Sequence, residues 1–591
     1  MRLPKWILAV WMLGLASSAM GEVQRIEIEA STDVLGGAAF GDVGGYRKIT
    51  GRVYFVFDPG NAANSRIVDL DRAPRNAQGK VEAWGDFMVL HPKDPAKGSG
   101  TALVEVSNRG GKAALAYFNA GRFQSDPETE ADFGDGLLMR SGLTIIWVGW
   151  QFDVPRLPGR LRLHVPIVKD GERTIEGLVR ADWVVDQPTK RLAIGHRNHD
   201  AYAVARPDHP DNRLTVRDGR LAPRQLVPRS DWGFVESTHI EMPDGFEAGR
   251  IYELVYRGKD PAVVGLGLAA VRDMIAFAKH DERCPFQVRH GLAVGISQTG
   301  RFLRQFLYQG FNVDERGRKA FDGLLIHTAG AGRGSFNHRF GQPSRDAHRY
   351  SAFFFPTDLF PFSGRSQRDP VSGTRAGLLD RLKASGHLPK IFYTNTGYEY
   401  WGRAASLLHT SLDGSADVEP LPEERIYHLA SSQHFVRRFA PPRSSDRVPG
   451  ADAYRGNPLD FLVTERALLL ALKAWVEEDR APPPSAIPRI DAGTLVPIGQ
   501  VRFPEIPGVE FPAVIHEAYR ADYGGDWPRG IVTRQPPALG PAFPALVSQV
   551  DMVGNEKAGV PSVEILVPVA TYTPWHLRAN VPGGIGELTD Y

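Results

Sequence analysis

The sequence predicts an α/β protein: a mostly parallel sheet flanked by helices, carrying an inserted β-rich region and a C-terminal extension. Three observations predict it. Between residues 246 and 480, apolar strand-like runs alternate with amphipathic helix-like segments, the pattern of parallel strands joined by crossover helices. Upstream, "GTALVEVSNRGG" (100–111) and "GLTIIWVGWQFDVP" (142–155) are dense in β-branched residues, as strands covered on both faces require. Around this unit, residues 155–245 form short alternating segments between Asp, Gly and Pro clusters, and "RAPPPSAIPRI" (480–490) breaks the chain before a tail rich in Pro, Gly and Val.

The elements follow in order. "KITGRVYFVFDP" (48–59) and "VEAWGDFMVLHP" (81–92) alternate apolar and polar residues and predict strands. "KAALAYFNAGRF" (112–123) predicts a short helix. "DPAVVGLGLAAVRDMIAFAKH" (260–280) has helical periodicity, with Asp260-Pro261 as its start signal. "HGLAVGIS" (290–297), "FDGLLIHTAGAG" (321–332), "PKIFYTNTG" (389–397) and "ERIYHLASS" (424–432) predict strands; "TGRFLRQFLYQGF" (299–311) and "YWGRAASLLHTSL" (400–412) predict helices. "PLDFLVTERALLLALKAWVEED" (458–479) is the strongest amphipathic helix, and "VPSVEILVPVA" (560–570) suggests strands in the tail.

At 591 residues the chain is long enough for one elaborated domain or two to three domains. The expected organisation is a signal peptide (1–21), the N-terminal part of the α/β unit (22–154), the β-rich insert (155–245), its catalytic part (246–480) and the extension (481–591). Lys and Arg total 70 against 68 Asp and Glu, a net charge of +2, which argues against a nucleic-acid binder. The N-terminus "MRLPKWILAVWMLGLASSAMGEVQR" has basic residues, a short apolar run and small residues, the pattern of a secretory signal. It predicts export to the periplasm or the medium without stable membrane insertion. The single cysteine, Cys284, excludes an internal disulfide and reads as a core residue. The sequence does not specify an oligomeric state.

The candidate chemistry starts at Ser297, where the strand "GLAVGI" meets a helix. Ligands of open α/β sheets lie at the carboxyl ends of the strands, and a tight strand–Ser–helix turn pushes the hydroxyl out of the sheet. Gly295 and Gly300 bracket the turn, but Thr299 stands where the G-x-S-x-G elbow has its second glycine. A plain turn remains open on this stretch alone. A phosphate loop is disfavoured, because Arg301 and Phe302 replace its Lys and Ser/Thr. A serine nucleophile needs a base, and the base an orienting acid, in chain order Ser, Asp/Glu, His. Glu399 follows the strand "KIFYTNT", and His434 lies in the loop after "ERIYHL". Glu399 alone would equally suit a helix cap, and His428 competes with His434 from within its strand. For the oxyanion, the Gln298 backbone N–H is one expected donor. Arg109 or Gly110, in "SNRGGK", is the other, unless the two glycines form only a turn.

The resemblance to a known group enters here. The fold resembles the α/β-hydrolases. The stretches "GISQTGRFLRQFLYQGFN", "HTAGAGRGSFNHRFGQPSR", "YTNTGYEYWGRAASLLHT", "QHF" and "QVDMVGNEKAGV" are similar to exported bacterial proteins described as alpha/beta hydrolase domain-containing, over nearly the whole mature chain. The chain departs from that group at Ser431-Ser432 (usually Gly-Thr), at Phe435 (usually Gly) and at "TPWHLR" (usually Gly-Trp-Asn). A looser similarity is to glucuronoyl esterases, which also lack Gly two residues after the nucleophile and use Glu as the acid. The implied activity is an exported serine hydrolase with Ser297, Glu399 and His434 as its triad. It would cleave a small-molecule or glycan-linked carboxylic ester, with no cofactor or metal. An amidase or peptidase using the same triad, and a non-catalytic binding protein on the same fold, are the alternatives. Residues 334–387 occupy the place of a lid, and the Phe-rich "YSAFFFPTDLFPF" (350–362) within it is either an apolar pocket lining or a buried packing patch. "HRNHD" (196–200) has ligand-type residues but no evident partner for a metal site.

Overall fold

The computed structural model describes residues 22–346, 354–436, 456–507 and 509–575. The segment read as a signal peptide lies outside the described residues, as does the start of the Phe-rich stretch. Among the described residues the central sheet has ten strands. Nine cross it in the order β1 (Glu22–Asp33), β2 (Tyr46–Phe57), β3 (Val81–Pro92), β5 (Thr144–Val148), β4 (Thr101–Val106), β6 (His290–Ile296), β7 (Gly323–His327), β8 (Lys390–Thr396) and β9 (Glu424–Leu429). From β5 to β9 every pairing is parallel. The first three strands run antiparallel to their neighbours.

Sequence pattern and burial agree. β4 and β7 are buried at every position, as parallel strands covered on both faces must be. Alternate residues feed opposite faces. Ala293, Leu324 and Ile326 join one apolar cluster with Met274 of α1 (Leu266–His280) and Phe302 and Phe306 of α2 (Gln298–Gln309). Leu292, Val294 and Leu325 join the other, with Leu468, Leu469, Leu472 and Trp475 of α4 (Leu462–Glu478). The short helix α3 (Gly397–Gly402) follows β8 directly. Register sets the functional edge: Ile296, His327, Thr394 and Tyr427 lie in one row, so the loops after β6, β8 and β9 leave the sheet together.

Several expectations are corrected. α1 starts at Leu266, not near Asp260. Asp260 has a left-handed φ of 59°, and Ala262 bridges to Ile167, so the Asp-Pro pair turns the chain before the helix begins. "YWGRAASLLHTSL" is not one helix, because Ala404 is left-handed between α3 and a 3₁₀ turn at Ala405–Leu408. In the tail, Val563–Leu566 forms one helical turn rather than a strand. Near the start of the inserted region, Leu163–His164 is a short strand at the edge of β3. The inserted region holds a four-stranded sheet whose strand Ile251–Lys259 pairs with Glu176–Val184, so the β-rich part runs past residue 245. In the Phe-rich stretch, Phe354, Phe355 and Phe362 are packing residues: Phe354 and Phe355 are buried against Ile251 and Val255, and Phe362 packs on Phe543.

The extension lies along β9. Tyr427 bridges to Ala486 and Leu429 to Val560, both in parallel, and Leu495, Val547 and Trp575 pack on Tyr398 and Trp401 of α3. Among the described residues no helix is long and apolar enough to cross a membrane.

Candidate active site

Ser297 occupies the corner between β6 and α2 with φ 58° and ψ −109°, a conformation that L-residues rarely hold. Small neighbours make the corner closable. A Cβ on Gly295 would sit 2.3 Å from the Thr299 carbonyl oxygen, and one on Gly300 would sit 2.8 Å from the His327 carbonyl oxygen. Gly300 thus supplies the close approach to β7. Thr299 is tolerated because its side chain turns inward: Oγ1 donates to the Ile296 carbonyl at 3.1 Å and accepts the Ile296 N–H at 2.9 Å. Ser297 remains partly exposed.

Glu399 and His434 converge on this serine. His434 Nε2 is 2.9 Å from Ser297 Oγ, and His434 Nδ1 is 2.6 Å from Glu399 Oε1. The capping alternative for Glu399 holds at the same time. Its Oε2 accepts the Thr396 N–H at 3.0 Å and the Thr396 hydroxyl at 2.5 Å, closing a capping box on α3. One oxygen builds the helix and the other orients the imidazole. His428 is not the partner of Ser297; its Nε2 lies 2.9 Å from Glu556 Oε2.

A family model described as alpha/beta hydrolase domain matches residues 233–591, which include all three of these side chains. The chain belongs to this family. No curated protein matches the chain.

The electrostatics of the hydrolase site are set by burial. Desolvation pushes the Glu399 carboxyl up, but the charge and hydrogen bond of His434, with the Thr396 hydroxyl, hold it below the usual value. The His434 imidazole is pushed down from 6.5 by burial, and Glu399 offsets this only in part. His434 is therefore neutral near pH 7, the form that accepts a proton, and is lost as a base only as pH falls through its lowered pKa. The acid limb of kcat/KM is expected to have its midpoint below pH 6.5. A pH–rate profile with a midpoint at or above that value would contradict the assignment.

The expected oxyanion loop follows β4, the sheet neighbour of β6. Glu105 ties down the helix beyond it by accepting the Ala113 and Ala114 N–H groups at 2.7 Å each. The Gln298 N–H lies in the first turn of α2, where helical donors lack intrahelical acceptors. The two candidates for the second donor separate. The Arg109 N–H donates to Gln151 Oε1 at 2.9 Å and is committed in this structure, a correction to its expected availability. Gly110 has φ 72°, and a Cβ there would meet the Leu161 carbonyl oxygen at 2.7 Å, so only glycine fits.

Sequence reasoning missed the groups around this loop. Gln151 Nε2 donates to Asp153 Oδ1 and to Ser344 Oγ, both at 3.2 Å. Burial pushes the Asp153 carboxyl up to about 6, against hydrogen bonds from Ser344. Pro343–Asp346 bridges both loops: Gln298 Nε2 donates to the Pro343 carbonyl and Arg109 Nη2 to the Ser344 carbonyl. The local signal was "GWQFD", polar residues immediately past the end of β5. Among the described residues no group of three or more His, Cys, Asp or Glu side chains is placed to hold a metal; His199 Nδ1 contacts the His196 carbonyl, and Asp200 pairs with Arg162.

The extension reaches the loop that carries His434 through Glu556. Its Oε2 accepts the Ser431 N–H at 2.5 Å, and its own N–H donates to Ser431 Oγ at 2.8 Å. Ser431 is left-handed, φ 56°, three residues before His434. Glu556→Ala is expected to cost about 1–3 kcal/mol, because it strips partners from buried donors. It should also lower kcat about tenfold (~1.4 kcal/mol) by loosening the loop that carries His434. Denaturation and steady-state kinetics test this; an unchanged kcat in a folded, destabilised variant would leave Glu556 a purely structural role.

Proposed function

We propose that this hydrolase is an exported serine esterase that cleaves a carboxylic ester through an acyl-enzyme. The observation that carries the reading is the unbroken chain Ser297 Oγ–His434–Glu399 at 2.9 and 2.6 Å. The Ser297 Oγ attacks the ester carbonyl while His434 Nε2 takes its proton. Glu399 keeps the Nδ1 proton in place and stabilises the imidazolium. The Gln298 N–H, with a second donor from the 107–111 loop, receives the developing oxyanion. His434 then protonates the leaving alcohol, and a water activated by the same imidazole releases the acid. Export rests on the N-terminal sequence pattern. An amide substrate would use the same groups, with an amine as the leaving group.

A fluorophosphonate probe tests the reading, because it reacts with an activated serine whatever the natural substrate. Wild-type protein should be labelled, and Ser297→Ala and His434→Ala should not. A panel of esters of graded acyl length, each with its matched amide, then separates esterase from amidase. A folded wild type that resists the probe, or a labelled protein that cleaves only amides, would overturn the esterase reading.

A further inference from the structure

A cavity of about 980 Å³ lies away from the triad, at the far end of the nucleophile's own helix. Gln305, Tyr308 and Gln309 of α2 form part of its wall, and Ser297 does not. Tyr308 stands eleven positions after Ser297, about 16 Å along a helix that rises ~1.5 Å per residue. The volume is in the range of small-molecule sites.

The charges of this cavity are unevenly balanced. Most of its arginines are neutralised: Arg339 by Asp69, Arg180 by Asp346, Arg520 by Asp369 and Arg529 by Asp526. The end around Tyr308 is different. Arg333 is 7% exposed, and its guanidinium donates to Gln305 Oε1 and to the Leu359 and Phe360 carbonyls. Its Cζ lies 3.7 Å from the centre of the Tyr308 ring, and the Cζ of Arg381 lies 4.8 Å from the same ring. Arg66, on the cavity rim, donates to Gln309 Oε1 at 3.1 Å. Among the described residues none of these three arginines has a carboxylate within ion-pair distance. Burial and its cationic neighbour Arg381 lower the Arg66 guanidinium. Burial pushes the Tyr308 phenol up, and the three arginines more than offset it, as a net positive field requires. A buried cation without a counter-ion is costly, and an anion placed here would remove the cost.

The remaining wall suits a hydroxylated body. Trp527 and Tyr523 present rings 4.8 Å apart, and Thr357 Oγ1 and Gln535 Oε1, on buried lining residues, lack hydrogen-bond partners among the described residues. We propose that this cavity binds a small polyhydroxylated anion, its carboxylate or phosphate held by Arg333 and Arg66. The site is distinct from the hydrolytic centre and does not depend on the esterase reading.

The test uses the full chain with sodium gluconate and inorganic phosphate as probes. Sorbitol and sodium chloride at matched ionic strength are the controls. Thermal melting and intrinsic tryptophan fluorescence are followed across a titration. A saturable rise in melting temperature with gluconate, phosphate or both is expected, and none with the controls. Gluconate alone identifies a carboxylate ligand, phosphate alone a phosphate ester. Arg333→Gln should weaken binding about tenfold or more, the scale of a charge-assisted hydrogen bond. Arg66→Gln, on the exposed rim, should weaken it several-fold, and it keeps the test open if the buried variant misfolds. Fluorophosphonate labelling of Ser297 should be unchanged in Arg66→Gln, which separates failure of this site from failure of the triad. No shift beyond the salt control, or equal shifts in wild type and every folded variant, overturns the proposal.

Discussion

Ser297→Ala is expected to lower ester turnover by roughly 10⁴- to 10⁶-fold while the protein stays folded. Residual activity would come from oxyanion donors and substrate binding, which remain when the nucleophile is gone. The fold survives because Ser297 Oγ hydrogen-bonds only to His434 among the described residues, and its backbone amide bonds to the His327 carbonyl whatever side chain follows. A third variant sharpens the argument. The left-handed φ of 58° stores strain of about 1–3 kcal/mol in any residue with a Cβ. Glycine releases it and pays back ~0.5–1 kcal/mol through the unfolded chain. Ser297→Gly should therefore be as inactive as Ser297→Ala but melt at or above wild type. If Ser297→Ala retained turnover within tenfold of wild type, this serine would not be the nucleophile. If Ser297→Gly melted well below Ser297→Ala, the corner would not be strained.

How much of this was legible in the sequence depends on how local the cause is. The parallel strands were readable because burial on both faces demands continuous apolar runs, and "TALVEV" and "GLLIH" show them. The corner was readable because Gly295 and Gly300 are forced by contacts within the turn and with the adjacent strand. Thr299 looked like a defect in the motif, since its inward hydrogen bonds to Ile296 have no signature in sequence spacing. The left-handed Ala404 broke one predicted helix and the left-handed Asp260 delayed the start of another, because neither side chain reports a φ that tertiary packing imposes. Gln151 and Glu556 were missed for a different reason. Their partners lie 42 and 125 positions away, so only the closed fold brings them together.

Glu399→Gln makes the two duties of one carboxylate visible. Glu399 Oε1 accepts the His434 Nδ1 proton, and Oε2 accepts the Thr396 N–H and hydroxyl. Both oxygens act as acceptors, and a glutamine has only one. If its oxygen caps Thr396, its amide NH₂ faces His434 Nδ1 and forces the imidazole proton onto Nε2, towards Ser297. That tautomer cannot accept the serine proton. If its oxygen faces His434, the NH₂ meets the buried Thr396 N–H, donor against donor, at a cost of about 1–3 kcal/mol. Glutamine serves a capping box as well as glutamate does, so the first arrangement should prevail. The expected result is a loss in kcat of about 10⁴-fold, the scale of a wrong-tautomer histidine, with stability within ~1 kcal/mol of wild type. Glu399→Ala should lose turnover and, in addition, about 0.5–2 kcal/mol of stability through the lost cap. Kinetics and denaturation of both variants decide the matter. A glutamine variant with wild-type kcat and wild-type stability would mean that His434 needs no acceptor on Nδ1, and the Glu399 arm of the triad would fall.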